Sequence, residues 1–324
     1  MSKLLSTQDK IFVAGHKGLV GSALVRKLVQ KKYENILTKE RNELDLLDEQ
    51  AVKNFFKTQK PEVVFLAAAK VGGIHANNTY RADFLFENLK IQNNVIWAAH
   101  EHNVKRLVFL GSSCIYPKLC PQPMKETHLL TGELEMTNRP YAIAKIAGLM
   151  LVEELRAQHN RDYFSVMPTN LYGPNDNFHP QNSHVLAALI RKAVEAKQKN
   201  ETFISVWGSG KPLREFIHVD DCADAIVHLA ETLTQDQIKS SELGPKNFSH
   251  INVGSGQEVS ILELTHLICE VVGFKGEIQF DASKPDGTPR KLLDTSLING
   301  FGWKAKIPLK EGIAQAVNWF KDNR

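Results

Sequence analysis

Short apolar runs alternate through the first half of the chain with longer stretches in which apolar positions recur every three to four residues. KIFVAG is followed by LVGSALVRKLVQ, ENILT by EQAVKNFFKTQ, and PEVVFLAAA by DFLFENLKIQNNVIWAAHEHN, and RLVFLGSS closes the series. Each switch from strand-like to helix-like period predicts a βαβ unit. Their succession predicts an α/β chain built on a doubly wound, parallel, Rossmann-like sheet. Ligands of such sheets sit beyond the carboxyl ends of the strands, so functional residues are expected just after the apolar runs. YAIAKIAGLMLVEELRAQ predicts a long helix with Pro140 at its front edge, where a missing N–H costs nothing. DYFSVMPTNLYG predicts the next strand and its exit.

Beyond about residue 174 the regularity loosens. SHVLAALIRKAVEAKQ and VDDCADAIVHLAETL read as helices on either side of a strand, FISVWGSG. The polar tract TQDQIKSSELGPKNFS, with its Gly and Pro, predicts a surface loop. HINVGS, ILELTHLICEVVG, EIQFDASKPDGTPRK and a final helix near LKEGIAQAVNWFKD complete a second, smaller α/β part. The expected organisation is a cofactor domain over residues 1–174, joined by a returning segment near 215–253. Residues 175–324 then form mainly a substrate domain.

Composition narrows the function without naming it. The net charge is only +4 over 324 residues and the basic side chains are dispersed, which argues against nucleic acid as a partner and leaves room for local anion pockets. The polar start MSKLLSTQDK lacks the apolar core of a signal peptide, and no stretch of membrane-spanning length is free of charge, so a cytoplasmic protein with no membrane partner is expected. Cys114, Cys120, Cys222 and Cys269 form no C-x-x-C pair, and neither a disulfide framework nor a metal site is expected.

The candidate chemistry lies at strand ends. Gly15, Gly18 and Gly21 in AGHKGLVG follow the first strand and open the first helix, the setting in which a helix N-terminus receives a pyrophosphate. After the second strand comes TKERNELD, where an NAD-preferring protein would present an acid to the ribose. Lys39 and Arg41 favour a 2′-phosphate and hence NADP(H), although Lys39 reads equally well as a solvated charge. Tyr141 and Lys145 share one helix face, and an ammonium beside a phenol favours the phenolate and so eases proton donation to a carbonyl oxygen. Cys114 in LGSSCIYP and His184 carry groups that exchange protons near neutrality, and on composition alone a packed thiol and a surface imidazole are the plainer alternatives.

GHKGLVG, GSSCIYP and YAIAK together resemble the extended short-chain dehydrogenase/reductase family that acts on nucleotide sugars. AAAKVGGIHANN, NRPYAIAKIAG, MPTNLYGPNDNFHP, SHV, WGSGKPLREFIHVDD and KPDGTPRK carry the likeness over nearly the whole chain, toward the branch that acts on a GDP-4-keto-6-deoxy-sugar. The resemblance implies an enzyme that inverts C3 and C5 and then reduces C4, with NADP(H) as cofactor and a GDP-sugar as substrate. It implies Ser112 as catalytic serine, Tyr141 as proton donor with Lys145 beside it, and Cys114 and His184 as the acid/base pair of the inversions.

By the same resemblance the cofactor is held by Gly15, His16, Lys17, Gly18, Leu19, Val20 and Gly21, by Arg41, Asp45 and Leu46, by Leu110, Gly111, Ser112 and Ser113, by Lys145, by Pro168, Thr169, Asn170 and Leu171, and by His184. Lys192, Trp207, Arg214 and Asp286 match positions that hold the GDP-sugar, and Arg290 joins them on charge alone. Cys222 and Cys269 read as packing, His179 as structural, and Asn170 and Tyr172 as cleft wall. The apolar faces of residues 84–100 and 142–155 suggest a homodimer. Dehydratase chemistry is disfavoured because Ser113 and Cys114 stand where those relatives carry an Asp–Glu pair. A 4-epimerase has no use for Cys114 with His184, and a non-enzymatic NADP scaffold has none for the full Ser–Tyr–Lys set.

Overall fold

The computed structural model describes residues 4–180, 182–240, 250–281, 283 and 286–323. In its first part β1 (Ile11–Ala14), α1 (Leu19–Gln30), β2 (Ile36–Leu37), α2 (Glu49–Gln59), β3 (Val63–Leu66), α3 (Ile74–Thr79), α4 (Arg81–Glu101), β4 (Arg106–Leu110), α5 (Arg139–His159) and β5 (Tyr163–Pro168) follow one another. The second part runs β6 (Asn170–Tyr172), α6 (Val185–Lys199), β7 (Phe203–Trp207), β8 (Leu213–His218), α7 (Val219–Thr232), α8 (Gln235–Ser240), β9 (His250–Val253), β10 (Glu258–Ser260), α9 (Ile261–Val272), β11 (Glu277–Asp281), β12 (Arg290–Lys291), α10 (Ser296–Gly300) and α11 (Leu309–Asp322).

The main sheet is six-stranded and parallel, in the order β2-β1-β3-β4-β5-β9. Its strands are mostly apolar because both faces are covered, with Arg106, Ser165, His250 and Asn252 as buried polar exceptions. Ile11, Val13, Val63, Phe65, Val108 and Val166 point to one side, where α1 and α7 supply Leu24, Leu28, Ile226 and Leu229. Phe12, Val64, Leu107 and Phe109 point to the other, against α2, α4 and α5. The chain leaves β1 in one direction for β2 and returns past it to β3. The crevice of this fold therefore opens beyond the carboxyl ends of β1 and β3.

A second core gathers α6, α9 and α11 around β7 and β8. Here β8 pairs with β6, β10 and β12, while β7 pairs with β11. β9 adds to the main sheet beside β5, and Ile298 and Trp303 pack into the same core as α1 and α7.

Beyond the short elements α3, β10, β12 and α10, which the pattern did not single out, three details differ from the pattern-based reading. DYFSVMPTNLYG is two strands in two sheets, because the chain crosses at Thr169, whose N–H donates to Val253 O at 3.0 Å. β8 was not anticipated. The polar tract begins as a short helix, α8, rather than as loop, since Ile238 is buried against the α1–α7 core; residues 241–249 of the tract lie outside the described residues. Among the described residues no helix is long and apolar enough to cross a membrane.

Candidate active site

The glycine turn fits a dinucleotide phosphate for steric reasons. Gly15 has φ +87°, and a Cβ there would lie 2.7 Å from the backbone N of Ala68, just past β3. A Cβ on Gly21 would lie 2.1 Å from Gly15 O, so the first turn of α1 rests directly on the loop. Gly18 precedes α1 with no side-chain cap, and the first turn carries no acid. The N–H groups of Leu19 and Val20, with the helix dipole behind them, suit an anion.

On the adjoining turn Lys17 pairs with Glu40 at 2.5 Å and Lys39 with Glu43 at 2.8 Å, whereas Arg41 is three-quarters exposed and only 3.9 Å from Asp45. Arg41 is therefore the more available of the two cations expected to meet a 2′-phosphate. Asp45 accepts from Leu47 N–H at 3.0 Å and Leu46 O accepts from Asn94 at 2.9 Å, which fixes this turn against α4.

Ser112 leaves β4 in an extended conformation, and its Oγ accepts from Cys114 N–H at 3.3 Å, starting a 3₁₀ turn over Ser113–Ile115. Gly111 is pressed against β5, since a Cβ there would meet Met167 Sδ at 2.2 Å. Tyr141 and Lys145 stand one turn apart on α5, and the Tyr141 hydroxyl hydrogen-bonds Ser112. Lys145 is buried, with Nζ donating to Leu110 O at 2.7 Å and lying 5.8 Å from the centre of the Tyr141 ring.

Burial pushes the Lys145 ammonium down to about 7. It pushes the Tyr141 phenol up beyond the usual range, with the nearby Cys114 adding to the rise and the Ser112 bond opposing it. The phenolate anticipated from the ammonium is thus not favoured; desolvation outweighs an attraction that Lys145 directs toward Leu110 O. A neutral phenol is the form that can donate a proton.

The thiol of Cys114 is half-buried. Its sulfur receives Asn138 Nδ2 at 3.4 Å and Lys291 Nζ at 3.8 Å. Neither residue was anticipated from the sequence. His184 stands just before α6 as an exposed residue, and desolvation by the surrounding protein holds its imidazole below the usual histidine range. Its segment is locked to the loop after β3: Gly73 N–H donates to Asn182 O at 3.0 Å, and a Cβ on Gly73 would lie 2.5 Å from Ser183 O. A Cβ at neighbouring Gly72 would lie 2.8 Å from Ala76 Cβ and 3.4 Å from Phe84, whose ring meets Tyr141 edge-on at 6.3 Å. Among the described contacts none joins Cys114 to His184 directly, and this chain of packing relates them.

In the second part of the chain, Lys192 Nζ donates to Ser205 O at 2.7 Å and lies 5.8 Å over the ring of Trp207, which is 61 % exposed. Asp286 accepts from Ser209 N–H at 2.8 Å and Ser209 Oγ–H at 2.7 Å, which holds its carboxyl below the usual range and fastens the turn after β7. The Arg214 guanidinium has Nη1 on Leu213 O at 2.7 Å; burial holds it below the usual arginine range, with the charge of Asp286 opposing the fall. Arg290, by contrast, is bidentate on Glu258 at 2.7 and 2.8 Å, so its charge serves the pairing around β8. Asn170 gives its amide to Glu215 O at 2.7 Å, and Tyr172 is buried with its ring close to Gly312 of α11. Cys222 and Cys269 are buried in helices.

A parallel sheet with a glycine turn at its switch point and a Ser–Tyr–Lys set at the end of β4 defines a nicotinamide-nucleotide enzyme of the epimerase and reductase type. Residues 11–254 match the NAD dependent epimerase/dehydratase family, and the chain belongs to it. Among its relatives, the Putative GDP-L-fucose synthase 2 of Arabidopsis thaliana is 56% identical over 322 residues, covering 99% of this chain and 94% of its own. The GDP-L-fucose synthase of Escherichia coli (strain K12) is 53% identical over 318 residues, 98% of each chain. Of the solved structures, a GDP-6-OMe-4-keto-L-xylo-heptose reductase from C. jejuni superposes with a TM-score of 0.92 at 39% identity, over 99% of both chains. A GDP-L-fucose synthetase from Naegleria fowleri bound to NADP gives 0.86 at 28% identity, over 99% of this chain and 97% of that one.

Proposed function

We propose that this enzyme converts GDP-4-keto-6-deoxy-D-mannose to GDP-L-fucose by 3,5-epimerisation followed by NADPH-dependent reduction at C4. The observation that carries the reading is Cys114 on the turn it shares with Ser112, beside Tyr141. Substrate and product differ at three centres, so hydride transfer alone is insufficient. The C4 ketone acidifies the protons on C3 and C5, and both inversions must precede its reduction. Cys114 and His184 exchange those protons on opposite faces. Tyr141 then gives its proton to the C4 oxygen while Ser112 orients it and Lys145 supports the charge. Gly15, Gly21 and the start of α1 would hold NADPH, with Arg41 toward its 2′-phosphate, and the cofactor when bound supplies the hydride.

Lys192, Trp207, Arg214 and Asp286 hold the GDP-sugar in this reading, the indole offering a stacking face and Arg214 a fork for the diphosphate. The partition into a cofactor domain, residues 1–174 with 215–253, and a substrate domain over the remainder belongs to the same proposal. So do a cytoplasmic location, supported by four unpaired cysteines, and a homodimer. Mixing the protein with NADPH and GDP-4-keto-6-deoxy-D-mannose tests the reaction: NADPH absorbance should fall with GDP-L-fucose as the product. Unchanged absorbance, or a product reduced without inversion, would refute it.

A further inference from the structure

Two side chains from separate parts of the chain converge on the sulfur of Cys114, and neither is there by default. Asn138 stands just before α5 and is of a type that ordinarily caps a helix, yet it makes no side-chain cap bond; its amide is turned to the thiol at 3.4 Å. Lys291 comes from 177 residues farther on, at 3.8 Å. Its backbone is fixed on both sides. β12 pairs it with Arg214 on β8, while Leu292 N–H donates to Gln122 at 2.9 Å and Leu293 N–H to Glu215 at 3.0 Å. A long lysine side chain loses much rotamer freedom when ordered, so a backbone this firmly placed is what brings its ammonium to one spot. The other cation at the site, Lys145, is directed to Leu110 O.

We propose that Lys291, with Asn138, is a positioning residue for Cys114: ammonium and amide hold the sulfur and stabilise its negative charge before it takes a proton from the sugar. The proposal rests on the epimerase reading above. In the step it serves, a C–H bond breaks and its proton bonds to sulfur. The electron pair moves toward the C4 oxygen, so thiolate becomes thiol and no oxidant is involved. Because Lys291 is carried by the strand that also pairs with Arg214, the substrate-holding part of the molecule completes the thiol site on the cofactor-holding part.

The test compares the NADPH-loaded protein with its Lys291→Met and Lys291→Arg variants. Cys120 also feels the Lys291 charge, so all three carry Cys120→Ser. Alkylation of Cys114 by iodoacetamide at neutral pH, followed on the Cys114 peptide by mass spectrometry, should slow about tenfold in Lys291→Met and recover in Lys291→Arg, because thiolate is the reacting form. Deuterium wash-in from solvent to the keto-sugar should slow in the same order, with NADPH affinity unchanged. Should Lys291→Met fail to bind NADPH, Lys291→Gln takes its place. Alkylation at the parent rate, or equal slowing in the Met and Arg variants, would overturn the proposal. Alkylation needs no sugar, so a parent protein that reacts with iodoacetamide as described but neither exchanges nor reduces the keto-sugar would sink the proposed reaction and leave the Lys–Cys contact standing.

Discussion

A Cβ on Gly21 would sit 2.1 Å from Gly15 O, whereas one on Gly18 would meet nothing nearer than 3.4 Å. Gly21→Ala should therefore cost about 1–3 kcal/mol in thermal unfolding and abolish NADPH binding in a fluorescence titration, while Gly18→Ala folds normally. Equal losses would show the spacing argument to be wrong. Glu126 offers a second residue-scale prediction. It is buried, accepts from Asn252 N–H at 2.9 Å, and burial pushes it from 4.5 to about 7. A raised native value means that its favourable contribution is complete below pH 4.5 and is lost as pH rises toward 7. Glu126→Gln should then match the parent in acid and exceed it by up to about 3 kcal/mol above neutrality. A gap independent of pH in urea melts would rule this out. Ser112, Cys114, Tyr141 and Lys145 were legible because each lies in a short local pattern at a strand end or on one helix face. Lys291 was not, since nothing in TPRK signals a sulfur 177 residues away.

At the scale of elements, period and length predicted α1 and α2 to the residue and placed α11, because each buries one regular stripe against a sheet or core. β8 escaped notice for a physical reason. LREFIH places Arg214 and Glu215 in the middle of a strand, where charge ordinarily argues for loop. Glu215 is fully buried, and it is tolerated there because Gly256 N–H and Leu293 N–H donate to its carboxylate at 2.7 and 3.0 Å. Those donors come from loops that no pattern in the strand foretells. Glu215→Ala would leave two backbone N–H groups without their acceptor and should destabilise by about 2–4 kcal/mol in urea. Glu215→Gln, which keeps an acceptor, should lose less. Because β12 is held partly by this carboxylate, the alanine variant should also slow Cys114 alkylation.

For the molecule as a whole, the two helical faces that suggested a dimer turn out to have a prior use. Phe84, Val95, Ile96, Ala98 and Ala99 of α4 and Ala142, Leu149, Val152 and Leu155 of α5 are buried, mostly against the sheet. What α4 leaves outward is a different stripe, Phe86 and Trp97 at 63 % and 44 % exposure, eleven residues apart and so on one side of the helix, with Ile143 of neighbouring α5 at 44 %. Large apolar side chains on one side of a helix are poor solvent-facing groups, and a second copy of the same surface related by a two-fold axis would cover them most simply. Phe86→Glu with Trp97→Glu would place like charges opposite one another across such an axis. Sedimentation velocity should then find the parent protein at twice the mass of the double variant, with Cys114 and Tyr141 untouched and NADPH still bound. A parent that sediments as a monomer at micromolar concentration would mean that the stripe is solvent-facing, and the outward aromatics would need another occupant.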